Sequence, residues 1–407
     1  MMEKEQTDYS KLSYKLTKDL KKDDKKNCGI YFTPPKTIIS NLEKLEPYFV
    51  NIKNVLEPSC GSCEYILKIN EKYPEIEITG IEYNKTIYGK IKDLENENIR
   101  IVNDDYLKFE SDDKYDLIIG NPPYFVMKKE DVSKEYKEYF DGRPNIFILF
   151  IIKSMKKLNE NGILSFILPK SFTNCQYYDK TRKFICENFT IINVEECNDD
   201  YIETQQETIC MIIQNKSPTN DINKQYTMEV DKYTIFGSPN NIKSINLLYQ
   251  GSTSLFKLGF NVNVGKVVWN QVKDKLTNDS TKTRLIYNSD IVNNKLVLKP
   301  YKNEAKKNFI DKKGQTHPLL VVNRGYGVGD YNFGYCLIEG GEEYLVENHL
   351  ICINPQKKKT NRELINLYNK IINSLNNEKT NEFIKLYFGN GAINTTELNF
   401  ILPIYNM

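Results

Sequence analysis

Residues 115–124 read Tyr-Asp-Leu-Ile-Ile-Gly-Asn-Pro-Pro-Tyr, a short apolar run that stops at a glycine, an asparagine and two prolines. An unalternated run of this length is what a strand covered on both faces looks like, and such strands belong to parallel sheets. Working outwards, the same punctuation recurs. Val55-Leu56 stops at Glu57-Pro58, Ile76–Ile81 at Glu82, and Ile99–Val102 at Asn103-Asp104-Asp105. Helical patterns at Glu64–Asn70 and Asn145–Leu158 lie between, and Gly162–Leu168 and Thr208–Ile213 add strands beyond. Strands alternating with helices predict an α/β fold with a Rossmann-like, doubly wound sheet. In such a sheet the ligand lies past the carboxyl ends of the strands, so the polar strand ends form one site.

The chain has 407 residues, 40% of them apolar, enough for a sizeable core and for two or three domains. Its net charge of only +2 does not by itself predict a nucleic-acid partner. The distribution does: residues 1–225 hold 33 basic and 38 acidic side chains, residues 226–407 hold 23 and 16, so the C-terminal part carries +7. Between Lys216 and Lys232 the apolar runs give way to Pro, Asn and Lys, which predicts a domain boundary. We therefore expect a charged extension over 1–28, a catalytic domain over 29–225, and a basic α+β domain over 226–407 with a helix at Asn361–Asn376 and β-like runs at Val264–Trp269, Leu319–Val322 and Leu350–Ile353. Within the extension, Thr17–Lys26 alternates charge without apolar periodicity and reads as a solvated helix or tail. No stretch reaches the roughly 18 apolar residues of a membrane span, and no signal-peptide core follows the charged N-terminus, so a soluble, cytoplasmic protein is expected. Nine scattered cysteines, an odd count, read as reduced thiols rather than a disulfide frame or zinc site. Two histidines leave little room for a His-based metal centre or a Ser-His triad.

The strand ends carry the chemistry. Glu57-Pro58-Ser59-Cys60-Gly61-Ser62-Cys63 joins a strand to a helix, where backbone N–H groups favour negative charge. It lacks both G-x-G-x-x-G and the P-loop lysine, which disfavours a dinucleotide or nucleoside triphosphate. Glu82, 21 residues after Gly61, stands where an acid can take both hydroxyls of a ribose. Asp105-Tyr106 can accept from an adenine amino group and pack an aromatic ring on the base. Asn121-Pro122-Pro123-Tyr124 is the strongest signal. Two prolines fix the backbone so that the Asn121 amide oxygen and the Pro122 carbonyl can hold the hydrogens of one planar NH2 group, while Tyr124 stacks on its ring.

With these residues in view, the chain resembles the S-adenosylmethionine-dependent amino-methyltransferases, specifically the gamma-class N6-adenine DNA methyltransferases of the TaqI type. The resemblance covers nearly the whole chain. Tyr31-Phe32-Thr33-Pro34-Pro35 is similar to the motif that closes over the methionine end of the cofactor, Glu57 to Gly61 to the first motif, Glu82 to the ribose acid, and Asp105-Tyr106 to the adenine-binding pair. Val264 to Gln271, His317-Pro318-Leu319-Leu320 and Glu347-Asn348-His349-Leu350 are similar to segments of the family's target-recognition domain. One departure is Cys63, where the family usually has glycine. The resemblance implies double-stranded DNA as partner, a base flipped into the pocket, Pro123 beside the cofactor, and a second stacking aromatic, for which Tyr201 before Thr208–Ile213 is the choice. It needs no metal or strong general base, and catalysis would come from positioning and preorganised acceptors. We expect a monomer, with any cognate restriction endonuclease a separate protein.

Release-factor glutamine methyltransferases share the Asn-Pro-Pro-Tyr signal but imply a much shorter chain without a large second domain. RNA, cytosine N4 and an inactive cofactor-binding module are the other readings, and the intact Asn121 and Tyr124 count against the last. In the basic domain Asn270, Gln271 and Arg324 are candidate base readers. The glycine-rich loop from Arg324 to Asp330 reads as a hairpin near DNA rather than a phosphate cradle, and Trp269 as core rather than a DNA wedge.

Overall fold

The computed structural model describes residues 9–199, 201–204, 206–219, 221–324, 334–388 and 393–405, in two compact units, 1–242 and 243–407. In the first, seven strands form one sheet: β1 (Asn54–Glu57), β2 (Glu77–Ile81), β3 (Ile99–Val102), β4 (Tyr115–Gly120), β5 (Leu158–Pro169), β6 (Thr190–Cys197) and β7 (Thr208–Gln214). Their order is β3-β2-β1-β4-β5-β7-β6. All neighbouring pairs are parallel except those of β7, which runs antiparallel to β5 and β6. The order reverses between β1 and β4, so their carboxyl ends open a crevice there.

The apolar run of β4 is explained by cover on both faces. Ile118 joins Leu56 and Leu164 in one core, whereas Leu117 and Ile119 join Val55 and Ile167 in the other. The first core is closed by α6 (Ile146–Lys156), of whose eleven residues eight are buried. The second is closed by α3 (Pro35–Leu45), α4 (Glu64–Lys72) and α5 (Lys85–Ile91). Pro34 and Pro35 open α3 at positions where no intrahelical N–H is needed. The Asn84 side chain caps α5 by accepting from Thr86 and Ile87 N–H.

Two expectations change. The charged stretch Thr17–Lys26 is not merely solvated: it falls in α1 (Lys11–Asp19) and α2 (Lys22–Cys28), and Leu16, Leu20 and Lys25 are buried. Leu12, Leu16 and Leu20 stand four residues apart and pack against the second core, a helical period hidden by the lysines and aspartates around it. The first unit also extends past Gln225 to Ile242. The reason is a hairpin, β8 (Thr227–Val230) with β9 (Tyr233–Phe236), that packs back on α7 (Asp179–Asn188). There the Asp179 carboxylate accepts from Thr234 N–H at 2.7 Å, and the fully buried Arg182 donates to the carbonyls of Thr234, Phe172 and Cys175.

The second unit is α+β. Strands Phe260–Val264, Leu350–Pro355, Leu319–Asn323 and Tyr335–Ile338 form one antiparallel sheet in that order, and a second four-stranded sheet contains Thr283–Ile286 and Tyr344–Val346. The helix Asn361–Leu375, capped reciprocally by Thr360 and Glu363, is fastened to the first sheet by the Tyr368 hydroxyl on the Ile353 carbonyl, 2.8 Å. A second helix, Glu378–Phe388, follows. Val264–Trp269 is not a continuous strand: the ladder ends at Val264, only an isolated bridge from Val267 to Glu347 follows, and Trp269–Gln271 is a 3-10 turn. Trp269 packs partly buried beside Val267, Leu285 and Ile310.

Candidate active site

The ends of β1, β2, β3 and β4 surround a cavity of about 340 Å³, a size suited to a small organic ligand. Tyr31, Pro58, Ser59 and Gly61 line it, as do Glu82, Asp105, Tyr106, Asn121 and Pro123. The strand-end residues expected to converge are thus brought together. Phe32, Tyr83, Ile87, Leu107, Phe125 and Phe150 complete the apolar wall. Sequence reading missed all but Phe32, although Tyr83, 67% exposed beside the acid, carried the signal of an aromatic that nothing in the core claims.

Glu82 is 6% exposed, and its two oxygens accept from Gly61 N–H at 2.9 Å and Asn84 N–H at 2.6 Å. Burial nevertheless pushes its carboxyl up to about 7, with both N–H bonds opposing the rise. Glu57 is also buried, and one of its oxygens has no hydrogen-bond partner. Burial, followed by the neighbouring Cys63, Glu64 and Glu82, holds its carboxyl well above the usual range. Asp105 accepts from Leu107 N–H at 3.0 Å and pairs with Lys108 at 3.3 Å. Tyr106 is more deeply set than a stacking residue needs: it is 2% exposed, its hydroxyl meets Ser154 at 2.9 Å, and its ring tilts against Phe150.

Cys60 departs from expectation. Its side chain belongs to the hydrophobic core under Gly80, and its backbone shapes the loop: its N–H donates to the Ile81 carbonyl and its carbonyl accepts from Cys63 N–H at 2.7 Å. Cys60 and Cys63 form a Cys-x-x-Cys spacing, yet both are free and buried. Among the described residues no group of three or more His, Cys, Asp or Glu could hold a metal ion. Cys63 takes a left-handed conformation at the start of α4, φ +60°, which is the physical reason a glycine suits that position.

Asn121 is the hub. Its amide nitrogen lies 3.1 Å from Thr33 Oγ1, 3.3 Å from the Tyr31 carbonyl and 3.4 Å from the Tyr201 hydroxyl. A carbonyl can only accept, so Tyr31 fixes which side of the Asn121 amide is NH2. The amide oxygen accepts from the Tyr124 hydroxyl, which also lies 2.7 Å from the Ile167 carbonyl. One phenolic proton cannot serve both acceptors at once. Turned to Ile167, Tyr124 leaves the Asn121 oxygen free. Ser59 Oγ holds the Asn121 carbonyl at 3.1 Å. Pro122 is buried, while Pro34 starts α3 away from the cavity wall. Tyr201, chosen as a loop tyrosine, is 7% exposed and reaches Asn121 through its hydroxyl.

In the second unit Asn270 and Gln271 are exposed on the 3-10 turn. Arg324 is half-buried. Of its glycine-rich loop, residues 325–330 lie outside the described residues. No described helix is long and apolar enough to cross a membrane.

Residues 3–202 match the family model of the Eco57I restriction-modification methylase. Modification methylase CviBIII of Paramecium bursaria Chlorella virus NC1A is 29% identical over 98% of this chain and 99% of its own length. Type II methyltransferase M.CvrRI of Paramecium bursaria Chlorella virus XZ-6E is 26% identical over 94% and 95%. These matches support a type II restriction-modification methylase. The chain is a site-specific DNA methyltransferase, and S-adenosylmethionine is its methyl donor. The type IIG restriction endonuclease BpuSI, 10% identical, superposes with a TM-score of 0.45 over 94% of this chain and 60% of that one.

The cavity fits that donor. The Glu82 carboxyl stands at one side of it, apolar side chains wall the remainder, and Glu57 carries an orphaned oxygen behind the same loop.

Proposed function

We propose that the methyl group goes to N6 of an adenine flipped out of duplex DNA, in the manner of the gamma-class enzymes. The observation that carries this reading is the Asn121 amide: its nitrogen is tied back to Thr33 and Tyr31, so its oxygen is the side presented to a substrate. An amide oxygen has two lone pairs, and the Tyr124 hydroxyl has Ile167 as an alternative acceptor. Asn121 and the Pro122 carbonyl would then draw the two N6 hydrogens into one plane and leave the nitrogen lone pair facing the cavity. Tyr124 and Tyr201 would border the base.

S-adenosylmethionine, when bound, supplies the electrophilic methyl group. The chain's own residues do the rest: Glu82 takes the ribose hydroxyls, Asp105 the adenine amino group, Tyr31, Pro123 and Phe125 exclude water, and Pro58, Ser59 and Gly61 shape the loop beneath. Flipping costs a few kcal/mol of stacking and pairing, which the second unit would offset by binding the duplex. In this reading residues 243–407 recognise the target, with Asn270, Gln271 and Arg324 as base readers, the enzyme acts as a monomer, and a cognate endonuclease is a separate chain.

Single-molecule sequencing of plasmid DNA from cells expressing the protein tests this. N6-methyladenine at one short motif is expected, with Asn121→Ala losing at least about 100-fold in transfer rate, as removal of one preorganised polar group does elsewhere, while cofactor binding persists. Methylated cytosine, or DNA without modification, would overturn the assignment.

A further inference from the structure

We propose that Lys25, in the charged N-terminal segment, is a positioning residue for the base pocket, acting through Glu203 on the loop that carries Tyr201. The proposal rests on the base-flipping reading above.

Lys25 is 5% exposed, rare for a lysine unless it is paired. Its ammonium group donates to the Thr17 carbonyl at 2.5 Å and to Glu203 Oε1 at 2.6 Å. Glu203 stands two residues after Tyr201. Two residues before Tyr201, Asp199 accepts from Thr37 Oγ1 at 2.8 Å. Tyr201 is therefore held on both sides by the N-terminal part of the chain. The neighbours of Lys25 touch the other members of the site. Gly29 lies against Tyr124, where a Cβ would stand 2.6 Å from the Tyr124 nitrogen, and Tyr31 and Thr33 hold the Asn121 amide. One short segment, 25–33, thus touches the Asn121 side chain, the Tyr124 backbone and, through Glu203, the loop that carries Tyr201. Its first member is the only contact of the three that is an ion pair, and charge-assisted bonds of this length are the strong ones.

The segment between β6 and β7 is rich in polar residues in sequence, Asn-Asp-Asp-Tyr-Ile-Glu-Thr-Gln-Gln-Glu over 198–207, and ordering any such segment costs conformational entropy. The Lys25 contact offsets part of that cost and places the Tyr201 hydroxyl at Asn121. The pair is asymmetric: the Lys25 side chain is 6% exposed and that of Glu203 33%. Lys25→Met therefore removes the link while leaving Glu203 free to rehydrate, whereas Glu203→Gln strands a buried ammonium.

The test uses the full-length enzyme and a duplex with 2-aminopurine at the target adenine. Lys25→Met is expected to lose about tenfold in kcat and in the fluorescence rise on DNA binding, the range of couplings between touching residues, with cofactor affinity and thermal midpoint near wild type. The double variant Lys25→Met/Glu203→Gln should be more stable than Glu203→Gln alone, since it removes the stranded charge. A Lys25→Met enzyme with wild-type kcat and fluorescence overturns the positioning role. So does a parallel fall in cofactor affinity and thermal midpoint, which would mark Lys25 as a structural contact. If the wild-type enzyme methylates without any fluorescence rise, the base-flipping reading fails and the role of Lys25 falls with it.

Discussion

Glu82 in the first unit and Glu397 in the second are near twins. They are 6% and 8% exposed, Glu82 accepts two backbone N–H bonds and Glu397 one, and burial pushes each carboxyl up to about 7. What surrounds them differs. Glu397 closes a local turn with Asn394, each side chain accepting from the other's backbone N–H at 2.9 and 3.0 Å. Glu82 faces a cavity on which three other strand ends converge. A shifted titration alone therefore marks burial, not function; convergence on a shared space is what separates the two.

The largest effect expected from breaking this contrast lies at two glycines. Gly29 (φ +64°) and Gly251 (φ +72°) both hold left-handed backbone, so alanine should cost each about 1–2 kcal/mol of local strain. At Gly251 the new methyl group meets nothing within 4 Å, while at Gly29 it meets the Tyr124 backbone at 2.6 Å. Gly29→Ala should then lower kcat by about 100-fold, as a displacement of roughly 1 Å at reacting groups does, whereas Gly251→Ala should shift only the thermal midpoint. Equal kcat values for the two variants would show that the Tyr124 segment tolerates displacement.

The two glutamates give the next effect. Each folded carboxyl holds its proton more tightly than the unfolded one, so the stability it contributes is complete below about pH 4.5 and is lost as pH rises through about 7. Both should show this loss. Only Glu82 should also change cofactor binding, because accepting ribose hydroxyls requires the carboxylate: affinity should fall toward about tenfold per pH unit below 7, with proton release on binding near neutrality. Calorimetry in buffers of different ionisation enthalpy measures this directly. Glu82→Gln should flatten the affinity profile, and Glu397→Gln should leave it intact while removing part of the pH dependence of stability. A pH-independent cofactor affinity in wild type would detach Glu82 from the ribose.

The comparison also explains what could be read from the chain alone. β4 was legible because cover on both faces forces an apolar run that ends at polar residues, β1, β2 and β3 because shorter β-rich runs also end at polar residues, and Glu82, Asn121 and Tyr124 were visible at or just beyond those ends. Lys25, Gly29 and Arg182 were not, because each acts through a residue distant in sequence, Glu203, Tyr124 and Thr234 respectively, which no local pattern records. Cys60 was misplaced because a motif names a position without saying which way its side chain points. In the second unit the helix Asn361–Leu375 announced itself by period and cap, while the end of the strand at Val264 depends on where its partner Leu350–Pro355 stops, which only the fold reveals.

The smallest effect separates lysines that serve the fold from those available to DNA. Between residues 295 and 307 the second unit carries Lys295, Lys299, Lys302, Lys306 and Lys307 against Glu304 alone. Lys306 is committed: it lies over the Tyr287 ring at 3.9 Å and the Tyr301 ring at 4.6 Å, beside the buried Asp290, and burial lowers its pKa. Lys295 and Lys302 are exposed. If this stretch meets phosphates, each of Lys295→Ala and Lys302→Ala should reduce the slope of log affinity against log salt by about 0.9, leaving the methylated motif unchanged. Lys306→Ala should instead lower the thermal midpoint with a smaller change in slope. Should none of these substitutions change the slope, the basic surface used for DNA lies elsewhere in the second unit, and its net charge would have to be traced to the lysines at 357–359, where the chain turns into the helix Asn361–Leu375.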